Sequence, residues 1–107
     1  MKKLFILLLI FNSLTTIAQS PNGINPAKKL LTVEASCGQC QFKMKGKGCT
    51  LAVRINGKPY FVDKANIDSF GDAHSKMGFC NAIRMAKVQG RIVNNKFVAT
   101  YFKLIEN

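Results

Sequence analysis

The chain contains no tryptophan, one histidine and only five acidic residues among its 107 positions. With His74 as the sole imidazole, multi-histidine metal cages and paired-histidine relays are excluded. The carboxylates Glu34, Asp63 and Asp68 fall in strand or turn contexts, so no acidic pair is set for general acid–base work. No glycine-rich phosphate loop and no serine in a nucleophile motif is present. Hydrolytic chemistry therefore has no constellation to rest on, and the chain reads as non-enzymatic except for one dithiol motif.

A long hydrophobic run is also missing. The apolar stretch from Leu4 to Phe11 is broken at Asn12 and Ser13, well short of the about 20 residues a membrane-spanning helix needs. Lys2 and Lys3 precede it and the small, polar "TTIAQS" follows it, which is the three-part layout of a secretory signal peptide. Thr16 and Ala18 place the cut between Ala18 and Gln19, making residues 1–18 the signal peptide. No cysteine follows the run until Cys37, which argues against a lipid anchor. The expected product is a soluble periplasmic or extracellular protein, in a compartment where disulfides persist.

Acidic residues are scarce, but basic ones are not. The 16 basic residues less Lys2 and Lys3 leave 14 against 5 acidic ones, a net of +9. Such a balance draws a protein toward anionic lipid or acidic polysaccharide, and also toward nucleic acid, which an exported protein rarely meets. The plainer reading is a solvated surface that keeps the protein soluble.

Residues 19–28 hold prolines, a glycine and asparagines and read as a flexible lead-in, leaving 29–107 as one small domain. "KLLTVEA" (29–35) is a first strand. In "TLAVRINGKPYFVD" (50–63), two β-prone runs meet at Asn56-Gly57, a pair that suits a type I′ hairpin. The spacing of Phe79, Cys80 and Ile83 in "GFCNAIRMA" predicts a short helix. "AKVQGRIV" and "KFVATYFKLI" form a second hairpin about Asn94-Asn95. The order β-β-β-α-β-β makes the fold class mainly β, a small five-stranded OB-like barrel with one short helix. Alternating strand directions then bring the loop after the first strand and the segment after the third to the same rim. Cys37, Cys40 and Cys49 would meet Cys80 and His74 there.

Three chemistries suit these cysteines. Export, small size and an even count favour disulfides, with three pairings open and none selected by the sequence. A bridge from the loop to Cys80 would close a long loop, and one from Cys37 to Cys40 a very short one. Alternatively, Cys37-x2-Cys40 is a common chelating spacing, and Cys49 with either Cys80 or His74 would complete a zinc tetrahedron. Asp72 would then orient His74 or cap a helix. A copper(I) variant would enlist the thioethers of Met44 and Met77. Third, "CGQC" is similar to the dithiol of thioredoxin-type enzymes. Gly46 and Gly48 leave little room for a following helix, and the alternating strand and helix order of those enzymes is missing. Lys43, Lys45 and Lys47 form a basic loop beside these thiols.

Tyr60, Phe61, Tyr101 and Phe102 raise a further class, binding of an oligosaccharide or anionic polymer on aromatic platforms, as OB barrels present. Strand periodicity sends half of such side chains inward, so core packing competes with that reading.

Taken together, "EASCGQCQFKMKGKGCTLAVRINGKPYFVD" and "GDAHSKMGFCNAIRMAKVQG" resemble a family of short exported bacterial proteins of uncharacterised function, over roughly residues 31 to 104. The resemblance implies a compact exported domain and supplies no catalytic residues. The leading expectation is an exported binding or structural module with a disulfide-stapled, cysteine-rich loop and no cofactor. The alternatives are a periplasmic zinc or copper protein using Cys37, Cys40, Cys49, Cys80 and His74, and a binder of anionic polymers.

Overall fold

Two asparagine turns set the register of the sheet. Asn56 and Gly57 have φ of 51° and 83°, and Asn94 and Asn95 have 51° and 65°, the left-handed pairs that let two-residue loops follow strand twist. In the computed structural model, which describes residues 23–105, these turns join β2 (Leu51–Ile55) to β3 (Lys58–Asp63) and β4 (Arg84–Val93) to β5 (Lys96–Leu104). Ahead of them come β1 (Leu31–Cys37) and the single-turn helix α1 (Gly38–Gln41). The expected signal peptide and its cut at Ala18 lie outside the described residues.

The strands close in the order β1-β2-β3-β5-β4, with β4 returning to pair antiparallel to β1 from Leu31↔Val88 to Ala35↔Arg84. β3 and β5 pair in parallel from Phe61↔Lys96 to Asp63↔Val98. This is the mainly β, closed five-stranded barrel of OB-like connectivity expected from the element order, and closure removes exposed strand edges. Alternate residues fill it: Val33, Ala35 and Cys37 from β1 meet Leu51 and Val53 from β2 and the large ring of Phe97 from β5. Ile67, Ala73 and Phe79, from the segment joining β3 to β4, join the same core. Gln89 is the buried polar exception on β4. Its side chain accepts from the Asn25 amide and donates to the Asn25 and Lys28 carbonyls, each at 2.8–2.9 Å, which ties residues 25–28 to the barrel wall.

The short helix sits elsewhere than its expected place. Residues 64–83 form turns and a bridge, and among the described residues the one helix lies between β1 and β2. The cause is tertiary. The chain doubles back at Gly78 so tightly that a β-carbon there would collide with the carbonyls of Asp72 and Ala73. The Cys80 amide donates to the Ala73 carbonyl, seven positions back, instead of continuing a helical ladder. The Phe79 carbonyl is taken by the Cys37 amide and the Ser36 hydroxyl, and the Ala82 carbonyl by the same hydroxyl. Phe79 is 2% exposed and Ile83 40%, so the two do not share a buried face.

Candidate metal centre

The inward alternation that buries Val33 and Ala35 also carries Cys37, the last residue of β1, into the end of the barrel. Cys37 then caps α1, its Sγ accepting the Cys40 amide at 3.4 Å. Gly38 lets this turn lie flat on the sheet, because a β-carbon there would stand 2.7 Å from both the Met44 sulfur and Phe61 Cε1. Left-handed backbone at Lys43, Gly46 and Gly48 brings the chain back toward β2. The Gln39 amide secures the return, accepting from the Thr50 amide at 2.8 Å and donating to the Thr50 hydroxyl at 3.0 Å. Cys49 is thereby set beside Cys37 and Cys40.

Cys80 arrives from the β3–β4 connection and is clamped from three sides. Besides the contacts to the Phe79 and Ala82 carbonyls, at 2.6 Å and 2.7 Å from Ser36 Oγ and 3.0 Å from the Cys37 amide, Gln41 donates to the Cys80 carbonyl at 2.9 Å. All four Sγ atoms lie within 4.8 Å of one another, and those of Cys49 and Cys80 are 2.7 Å apart. Cys37 is buried, Cys49 and Cys80 are half-buried and Cys40 is exposed. A single tetrahedral zinc with sulfurs at about 2.3 Å separates its ligands by about 3.8 Å, so four sulfurs this close match one ion. A cubane iron–sulfur cluster would hold its thiolates further apart.

His74 stands apart from the sulfurs. Its ring is 83% exposed, with Nδ1 3.8 Å from the Asp72 carboxylate, and its amide donates to the same carboxylate at 2.9 Å. Of the two methionines considered with copper, Met44 lies over Gly38 and Met77 is exposed. The four aromatics form no single platform. Tyr60 packs toward the core, Phe61 borders Gly38, and Phe102 meets Phe70 in a tilted contact with ring centroids 4.9 Å apart. Tyr101, Phe102, Phe70 and Lys64 line an open cavity of about 560 Å³ on the β5 side.

The cluster shifts three of its thiols in opposite directions. At Cys37 burial opposes the thiolate, yet hydrogen bonds from the Cys49 and Cys40 side chains and from the Cys40 and Gln39 backbone outweigh it and lower the pKa. The Cys40 thiol is pushed up to about 11, first by its hydrogen bond to Cys37, then by burial and by repulsion from Cys37. Burial, followed by hydrogen bonds to Cys37 and Cys80, pushes Cys49 up. Cys37 thus gains thiolate character while Cys40 and Cys49 hold protons, and a cation among the sulfurs would relieve the repulsion.

Residues 31–105 match the profile of a family of unknown function, DUF6370. The chain belongs to the DUF6370 family. The DUF6370 match opens on the first residue of β1 and closes one residue beyond β5, so it takes in the whole barrel and all four cysteines. No curated protein and no solved structure matches the chain.

The clamp residues Ser36, Gln39 and Gln41 escaped the sequence reading, since their roles depend on partners distant in the chain. Only the fold reveals Ser36: it alternates with the inward residues of β1 yet is fully buried, and buried hydroxyls are normally bonded. Replacing Ser36 by alanine removes the hydroxyl that the Phe79 and Ala82 carbonyls share, leaving Phe79 its Cys37 amide and Ala82 without that donor, a loss of about 1–3 kcal/mol. It also loosens Cys80, so affinity for zinc should fall roughly tenfold. Thermal melting with a chelator-competition titration checks both effects, and unchanged zinc affinity would remove Ser36 from the site.

Proposed function

We propose that this DUF6370 protein is an exported, non-enzymatic metal-binding module whose four cysteines hold one zinc ion. The observation that carries the reading is that all four sulfurs converge within 4.8 Å. Two separate disulfides require close approach only within each pair, whereas a tetrahedral ion requires every sulfur to be near every other. The donor set suits zinc, which takes four thiolates in closed structural sites. Four thiolates around one divalent cation carry two net negative charges, and the exposed Lys43, Lys45 and Lys47 lie in the loop that joins Cys40 to Cys49. Those lysines supply counter-charge near the rim.

When bound, zinc supplies cross-linking between three parts of the chain: the β1–α1 junction, the entry to β2 and the β3–β4 connection. The protein's own residues align the donors. Cys37 is held by the barrel core, Cys49 follows the Gln39–Thr50 contacts, and Cys80 follows Ser36 and Gln41. The signal-like segment at residues 1–18 supports export.

The disulfide reading retains one specific support, the 2.7 Å between the sulfurs of Cys49 and Cys80, which is below the ~3.8 Å expected between zinc ligands. Native mass spectrometry of the mature protein, exported by its own signal and purified without chelator or reductant, decides between the two. One zinc per chain, lost on denaturation and leaving four alkylatable thiols, is the expected result. A zinc-free mass short of four hydrogens, with no alkylation, would replace the metal centre by two disulfides.

A further inference from the structure

We infer that the zinc centre is a redox-gated site in which a peroxide joins Cys49 to Cys80 and thereby releases the ion. The inference rests on the metal reading and adds a direction to it: of the four ligands, one particular pair leaves the metal first. The sulfurs of Cys49 and Cys80 are 2.7 Å apart, and both side chains are half-buried, open to a small oxidant. Cys37 is fully buried, and its sulfur already accepts the Cys40 amide. That leaves it poorly placed to meet an oxidant or to turn toward Cys40.

Chain topology favours the same pair. Cys49 and Cys80 are 31 positions apart, so a bond between them restricts the unfolded chain far more than a bond across the two residues between Cys37 and Cys40. The bridge would also keep two of the three segments that zinc joins, the entry to β2 and the β3–β4 connection, tied together after the ion has gone.

The chemistry balances with hydrogen peroxide as oxidant. The Cys49 thiolate attacks one peroxide oxygen, the O–O bond breaks, hydroxide leaves and the sulfur becomes a sulfenic acid. The Cys80 thiolate then attacks that sulfur, the S–S bond forms, the S–O bond breaks and a second hydroxide leaves. The two sulfurs together give up two electrons, the peroxide accepts them, and two protons from solvent convert the hydroxides to water. Zinc is left with Cys37 and Cys40 as its protein ligands, and two thiolates at this spacing do not close a tetrahedron.

The test uses the wild-type mature protein loaded with zinc, titrated with hydrogen peroxide and followed by a zinc-sensitive dye, thiol alkylation and peptide mapping. The expected result is release of one zinc with loss of two alkylatable thiols per chain, a mapped Cys49–Cys80 bridge, and recovery of zinc binding after a thiol reductant. Zinc retained after two thiols are oxidised, or a first bridge mapped to Cys37–Cys40, would overturn the inference while leaving the zinc site standing. A reduced protein that takes up no zinc before any peroxide is added would overturn the metal reading and the inference together. Because the mapping is done on the wild type, no cysteine variant has to fold for the test to be read.

Discussion

Stripping zinc from the reduced protein should lower its thermal midpoint by about 15–30 °C. A ligand that binds only the folded state at 1,000 times its dissociation constant adds about 4 kcal/mol. For a domain of this size each kcal/mol moves the midpoint by about 4–8 °C. The effect is large because the ligands are distant in sequence, so an ion among them would tie the β3–β4 connection to the end of β1 and the entry to β2. Cys80→Ser should reproduce most of the loss in zinc-containing buffer and add little once a chelator is present. Melting curves for wild type and variant, each with and without chelator, give the four values needed. Equal midpoints for the wild type in both buffers would show that metal does not support the fold. Acid should mimic the chelator, because each thiol must lose its proton to bind as a thiolate. Cys49 and Cys40, whose thiols are both pushed up, Cys40 to about 11, are the ligands whose protons zinc must displace against the greatest resistance.

Much of the frame behind that prediction is local in the chain. Asn56-Gly57 and Asn94-Asn95 mark two hairpins on their own, because left-handed backbone suits few residues. Once the strands are counted, their alternating directions bring the loop after β1 and the segment after β3 to one rim, and Cys49 and Cys80 do meet there. The misplaced helix has a different origin. A spacing of four between Phe79 and Ile83 fits a helical stripe, but it also fits a chain doubling back at Gly78 whose carbonyls are taken by Ser36 and the Cys37 amide. Those partners are more than forty positions away, so no local pattern carries them. The real helix, Gly38–Gln41, is a single turn, too short to show any periodicity. The cysteines were legible as a group, but the choice between metal and disulfide rests on sulfur positions that spacing alone does not fix.

Phe97→Ala should convert the protein into one that folds only when zinc is bound. Phe97 is 1% exposed and heads the largest fully buried side chains of the barrel, so its truncation removes about 3–5 kcal/mol through lost transfer energy and the cavity left behind. A domain of about 80 residues has ~4–12 kcal/mol to lose, and small domains with modest cores tend toward the lower part of that range. Without zinc the variant therefore falls near or below zero stability. With zinc the linkage of about 4 kcal/mol offsets most of the cavity, and the native fold returns. Near-UV circular dichroism of the reduced variant during a zinc titration reads this directly: a cooperative gain of signal completed at one equivalent is the expected curve. The cavity lies in the barrel core and Ser36, Gln39 and Gln41 are unchanged, so the donors remain aligned once the barrel forms. A variant that stays unfolded at saturating zinc would mean that the centre and the barrel are energetically separate, with zinc ordering only the rim. A variant that folds equally well without zinc would mean that the barrel alone holds more stability than a core of this size is expected to provide.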